Sequence, residues 1–232
     1  MAKVYKKGFK VYFNDRLKAV HFHGEATLPL YIQVVYRSKN LIFKSYLFDL
    51  LSSSRYDINN ETPKLADIIS FETETFEFIV EAKPDIDRLD QLQLAYNYYS
   101  TDLCTTSEKA YIVQLYLVLK DMGLNSMALI FDKVRDEQPF YYIMVDLFRI
   151  VETSVKEQII KSMDSSGQIY PYLFEFVLKN RESPYYFLSV REWENESTRA
   201  QFSGFLEHAY PNKAKKILRG LDRWIKTLGS PV

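Results

Sequence analysis

The sequence predicts an α+β protein, with a small antiparallel sheet of about three strands at the N-terminus and a larger all-helical domain after it. Three observations lead there. Period-two alternation of apolar and polar residues is confined to the stretch from Phe9 to Leu47. From Pro63 onward, apolar residues recur at helical offsets behind recognisable start signals. The 232 residues include only seven glycines, which suits helices joined by short connections better than a meander of tight β-turns.

Taken in order, Phe9, Val11 and Phe13 alternate with Lys10 and Tyr12, the pattern of a half-buried strand. Leu30 to Arg37 repeats it, with Ile32, Val34 and Tyr36 on one face and Tyr31, Gln33, Val35 and Arg37 on the other. Leu41 to Leu47 gives a third strand, reached through the polar turn Arg37-Ser38-Lys39-Asn40. Lys10 and Tyr12 then point outward, and the third strand presents Lys44 with Tyr46. Ser52-Ser53-Ser54 and Asn59-Asn60 form a polar connector, so the expected domains are residues 1–55 and 60–232. Thr62-Pro63 reads as an N-cap followed by a first-turn proline.

Leu65 to Tyr98 admits two readings. As a helix, Leu65, Ile68, Ile69, Phe76, Ile79 and Val80 form a stripe in which Glu72 is the one gap. As a β-hairpin, the chain would have to turn near Glu72-Thr73-Glu74-Thr75, which offers no Gly, Asn, Asp or Pro. Helix is therefore the expectation. The hairpin alternative matters because Ile79-Val80-Glu81-Ala82-Lys83 resembles the metal-binding strand of the PD-(D/E)xK nucleases, with Gln93 and Tyr96 following as in RecB-like members. That resemblance implies Mg²⁺ held by Asp67 and Glu81, Lys83 steadying the attacking oxygen, and substrate placed by Gln93 and Tyr96.

Beyond this stretch the chain reads as helices throughout. Asp85, Asp87 and Asp90 suit a first turn; they do not make an EF-hand loop, since Asp90 stands at the glycine position and Tyr96 at the terminal glutamate position. Thr105-Thr106-Ser107-Glu108 predicts a capping box for a buried helix that Gly123 stops, and Ser154 with Glu157 predicts a second. Further apolar helices are expected from Pro139 to Val151 and around Tyr170 to Leu178. The final helix carries Ala214, Ile217, Leu218, Leu221, Ile225 and Leu228 as its apolar stripe. Lys213, Lys216, Arg219, Arg223 and Lys226 lie mostly opposite, either a solvated face or a second phosphate-binding surface.

Composition narrows the function classes. The formal net charge is zero, which argues against non-specific coating of nucleic acid. The charges are nevertheless segregated, basic from Met1 to Tyr46 and acidic from Asn60 to Asp90. Cys104 is the sole cysteine, so an internal disulfide and a thiolate zinc site are excluded, and a buried apolar role is expected for it. His21 and His23 lack a nearby third ligand, so no metal site is expected there. The longest apolar run, Ala110 to Leu119, is too short to span a bilayer, and the basic N-terminus lacks a signal peptide's apolar run. A cytoplasmic chain without membrane contact is the expectation.

Gly24 to Phe48, GEATLPLYIQVVYRSKNLIFKSYLF, resembles the N-terminal arm-type DNA-binding domain of phage-integrase-type tyrosine recombinases. Gly24, Glu25, Pro29, Tyr31, Ile32, Val34, Phe43 and Ser45 carry the likeness; Gln33 stands where arginine is common, and the usual turn glycine is missing between Tyr36 and Leu41. The resemblance implies a three-stranded sheet applied to DNA and a link to mobile genetic elements. Recombinase catalysis needs a His-x-x-Arg, which none of His21, His23 or His208 begins. The expected function is therefore non-catalytic DNA binding through the sheet. Lys6, Lys7, Lys10, Arg16, Lys18, Arg37, Lys39 and Lys44 would meet phosphate, and Tyr12, Tyr31 and Gln33 would lie near base edges. The Mg²⁺-dependent nuclease is the first alternative and a helical protein-interaction scaffold the second.

Overall fold

The computed structural model describes residues 7–56, 62–134, 138–163, 165–180 and 187–229. The architecture is α+β as expected, and the chain divides into two compact units, Met1–Thr101 with residues 230–232, and Asp102–Gly229.

The first unit opens with β1 (Gly8–Phe13), a small hairpin of β2 (Val20–Phe22) and β3 (Glu25–Thr27), then β4 (Leu30–Tyr36) and β5 (Lys39–Lys44). β1, β4 and β5 form an antiparallel sheet with β4 in the centre; β2 and β3 pair only with each other. The period-two pattern decides which face is covered. Leu30, Ile32, Val34, Tyr36 and Phe43 are buried. Behind them Phe9 stacks on Phe76 at 5.3 Å between centroids, and Phe43 packs against Tyr96 at 5.0 Å.

Three expectations for this unit are corrected. The third strand ends at Lys44, because the Ser45 side chain accepts a hydrogen bond from the Phe48 amide and so opens helix α1 (Tyr46–Leu51). Tyr46 therefore leaves the sheet. The turn is tighter than expected, Tyr36 pairing directly with Lys39, and the intervening Arg37 and Ser38 take φ of 51° and 61°, as a two-residue hairpin requires even without glycine. The domain boundary expected at the serine-rich connector lies instead between Thr101 and Asp102. Helices α2 (Leu65–Ala82) and α3 (Leu89–Ser100) belong with the sheet, since their apolar sides cover it.

The helix reading of Leu65 to Ala82 holds for the whole stretch, though its N-cap is Lys64 rather than Thr62. Ile68, Glu72, Thr75, Phe76 and Ile79 form its buried stripe.

The second unit is helical among its described residues, apart from an isolated antiparallel bridge between Asp102 and Ser189. It comprises α4 (Leu103–Asp121), α5 (Asn125–Val134), α6 (Phe140–Ile150), α7 (Thr153–Ser162), α8 (Ser165–Asn180), α9 (Val190–Glu194), α10 (Glu196–Ala209) and α11 (Ala214–Thr227). α4 packs against α5, α7 and α8, and α8 in turn against α10 and α11. Gly123, with φ of 79°, ends α4 as expected. Neither predicted capping box forms. Asp102 caps α4 three residues ahead of Thr105, and the N-cap of α7 is Glu152, which makes no side-chain cap. The box that does form pairs Ser189 with Glu192 at α9. Cys104 is buried, and among the described residues no helix is long and apolar enough to cross a membrane.

Phe76 joins α2, α3 and the sheet in one aromatic cluster and is fully buried. Its replacement by alanine is expected to cost about 3–5 kcal/mol, read as a lowered urea midpoint with the slope of the transition unchanged.

Candidate nucleic-acid interface

The side of the sheet turned away from α2 and α3 is open, and strand register decides what it displays. Tyr12, Tyr31 and Lys44 lie on one rung, Lys10, Gln33 and Ile42 on the next, and Gly8, Val35 and Asn40 on the third. Lys10 and Lys44 are exposed, Tyr12, Tyr31 and Gln33 half-buried. Five residues expected to bind nucleic acid are thus gathered on one surface. Strand spacing and rise put the Lys10 and Lys44 backbones roughly 12 Å apart across it. The Lys10 ammonium lies 5.7 Å from the Tyr12 ring centre. Lys44 reaches Asp49 at 2.6 Å, with both side chains about half exposed. An ion pair in that setting is worth at most about 1 kcal/mol, so a phosphate can displace it. Val35 and Ile42, 42% and 46% exposed, add an apolar centre to the face.

The other candidates divide. Arg16 and Lys18 are exposed in the segment after β1, beside the Tyr12 rung. Arg37 and Lys39 lie at the opposite end of the sheet, where Arg37 stacks on Tyr36 and approaches Asp87 at 3.7 Å. Lys7 is corrected. Its ammonium donates to the carbonyls of Lys83 and Pro84, just past the C-terminal end of α2, where a cation is favoured. Partial burial there holds its pKa below the ordinary lysine value, against the opposing pull of Asp85 and Asp87. Lys6 falls outside the described residues.

The alternative nuclease site is corrected as well. Asp67 and Glu81 sit 14 residues apart on the single helix α2, about 21 Å along its axis, too far to share an ion. Lys83 is the C-cap of that helix, so the Glu-x-Lys tripeptide is not on a strand. Gln93 lies on α3, and Tyr96 is committed elsewhere. Among the described residues no group of three His, Cys, Asp or Glu side chains is placed to hold a metal.

Tyr96 belongs to the feature that the sequence marked only as a gap. The Glu72 carboxylate is buried under the sheet and accepts hydrogen bonds from the Ser45 hydroxyl, the Leu47 amide at 3.2 Å and the Tyr96 hydroxyl at 2.9 Å. The Tyr96 oxygen accepts in turn from the Tyr46 amide at 2.8 Å. Burial, reinforced by the Glu72 charge, pushes the Tyr96 hydroxyl far above the ordinary phenol range, so it remains a donor. With Ser45 capping Phe48, each of the first three amides of α1 has a partner.

The second unit contains the same arrangement. Glu108 on α4 accepts from the Phe140 amide at 3.1 Å and from the Tyr170 hydroxyl at 2.6 Å, while the Tyr170 oxygen accepts from the Tyr141 amide at 2.8 Å. Asp102, fully buried, accepts from the amides of Cys104, Thr105 and Leu188. Burial raises the Asp102 carboxyl, with those hydrogen bonds pulling the other way. These buried acids cap helices and tie segments together; none faces open solvent. No protein-family model, no curated protein and no solved structure matches the chain.

Removing the Glu72 carboxylate leaves buried donors without an acceptor, so Glu72→Ala is expected to cost about 3 kcal/mol. Tyr96→Phe is expected to cost about 1–2 kcal/mol. Because both act on one network, the double variant should lose less than the sum, by at least about 0.5 kcal/mol in urea unfolding; strict additivity would show that the two side chains act separately.

Proposed function

We propose that the protein binds DNA without catalysis, through the open face of its N-terminal sheet. One observation carries this reading: strand register sets Lys10, Tyr12, Tyr31, Gln33 and Lys44 on two adjacent rungs of the sheet face turned away from α2 and α3, with both lysines exposed. The lysines supply mobile, sequence-independent phosphate contacts, while the central tyrosines and Gln33 are of the size and polarity to reach base edges. Arg16, Lys18, Arg37 and Lys39 extend the positive charge to both ends of the sheet. A sheet is a known way of entering a DNA groove, and the resemblance to arm-type domains of mobile-element recombinases agrees with that use.

A second reading, a protein-interaction scaffold, has one observation in its favour. Val113 and Leu117, 55% and 54% exposed, lie one turn apart on α4. A pull-down retained by wild type and lost on Val113→Glu with Leu117→Glu, with no shift of DNA in a gel, would decide for it.

DNA binding predicts a dissociation constant that rises steeply with salt, its logarithm climbing by about 0.9 per phosphate contacted for each tenfold rise in salt. Lys10→Glu combined with Lys44→Glu should remove detectable binding in a gel shift while leaving the unfolding midpoint in place. Gln33→Ala should lower the preference among sequences more than it lowers affinity for random DNA. Binding that ignores both salt and the two charge reversals would overturn the reading.

A further inference from the structure

The second unit contains a cavity of about 950 Å³, at the upper end of the range usual for small-ligand sites. It lies among α4, α6, α7, α8 and α11. Its floor is apolar, with Tyr111, Met144, Met163 and Ile169 buried there, and Ile217 buried along one side. Tyr141, Phe148, Tyr172 and Tyr210 stand half-buried in its walls.

The rim is cationic. Lys156 of α7 faces the cavity together with Lys213, Lys215, Lys216, Arg219 and Arg223. The last five lie at the start of α11 or on one side of it, with Gly220 leaving a gap between Lys216 and Arg223. Among the described residues none of those five is in an ion pair. Lys161, also at the rim, is paired with Glu157. Among the described residues the lining contains one carboxylate, Glu175, which accepts from the Tyr210 hydroxyl and from Lys179 at 2.5 Å. The charge of Glu175 is therefore answered outside the cavity, whereas among the described residues Lys156 and the five cations of α11 are in no ion pair.

Six cations converging on an opening cost mutual repulsion, which an entering polyanion relieves. Charge alone would suit inorganic phosphate, but a bare phosphate leaves the aromatic walls unused. A lipid chain would use the apolar floor and leave most of the tyrosine hydroxyls without a partner. Planar rings against tyrosine faces, with phosphates at a lysine and arginine rim, is the combination that serves nucleotides and single strands. Burial raises the Tyr141 hydroxyl above the ordinary phenol range, which keeps it a donor to ring and sugar oxygens.

We infer that this cavity binds phosphorylated nucleoside units, either a free nucleotide or a segment of a single-stranded nucleic acid. The rim cations hold the phosphates, and Tyr172 and Tyr210, in edge-to-face contact at 4.8 Å, receive the base. The inference concerns the helical unit alone and does not depend on the sheet face.

The test uses the full chain carrying Lys10→Glu and Lys44→Glu, so that the sheet face contributes nothing. ATP, a short single-stranded oligothymidylate and inorganic tripolyphosphate are titrated by calorimetry. The expected result is that ATP or the oligonucleotide binds at least about tenfold more tightly than tripolyphosphate, the difference being the stacking contribution. Lys216→Glu with Arg223→Glu should weaken that binding at least about tenfold and flatten its salt dependence. Tyr172→Ala should weaken it about five- to a hundredfold. Far-ultraviolet circular dichroism checks that the variants, exposed or half-buried positions all, keep their helices. Tight ATP binding identifies a free nucleotide as the source, and binding of the oligonucleotide alone identifies a strand. Tripolyphosphate binding as tight as either, binding indifferent to Tyr172→Ala or to the charge reversals, or no binding at all would overturn the inference.

Discussion

A carboxylate withdrawn from water under the sheet holds the first unit together. Glu72 occupies the place in α2 where an apolar residue would ordinarily face the core, and it is fully buried there. Such a charge is tolerable only when donors surround it. The chain supplies them from two directions: Ser45 and Leu47, where β5 turns into α1, and Tyr96 from α3. One side chain thereby fixes how the strand ends, where the short helix begins and which way α3 faces. With α2 and α3 held against one side of the sheet, the other side is left open, and the display of Lys10, Tyr12, Tyr31, Gln33 and Lys44 follows from that.

The recurrence of the device in the second unit gives it weight as a constraint rather than an accident. Glu108 and Tyr170 serve the first amides of α6 much as Glu72 and Tyr96 serve those of α1. In each case a glutamate from one helix and a tyrosine from another meet at the N-terminus of a third. The tyrosine hydroxyl donates to the acid and accepts from an amide, so a single oxygen settles two obligations. Acids used this way are poor candidates for chemistry, and the catalytic alternative loses Tyr96 to one of these networks while Asp67 and Glu81 are held apart by the length of α2.

Much of the fold was legible because local patterns dominate it. Alternation in Phe9 to Phe13 and Leu30 to Tyr36 named the buried and open faces, and the lack of turn residues at Glu72 to Thr75 identified α2 as one helix. What escaped depended on distant partners. Ser45 ends a strand because Phe48 and Glu72 are near it in space, and β2–β3 is too short to carry a periodic signal. The domain boundary was misplaced because a polar connector says nothing about whether the next helix returns to pack on the sheet. Asp102 was hidden by the more conspicuous Thr105 to Glu108 pattern; its signal was an N-cap residue directly before Leu103. For the basic residues of α11 the sequence offered a face but no cavity, since Tyr141, Lys156 and Tyr172 come from three other helices.

The organising role given to the paired glutamate and tyrosine networks can be read directly from amide hydrogen exchange. First-turn helix amides ordinarily exchange fast, because no carbonyl within the helix accepts from them. If these networks are what fixes the two units, the amides of Tyr46, Leu47, Phe140 and Tyr141 will be among the slowest in the chain, opening only when their unit unfolds as a whole. Exchange at those four positions at the rate of an exposed helix start would contradict the account.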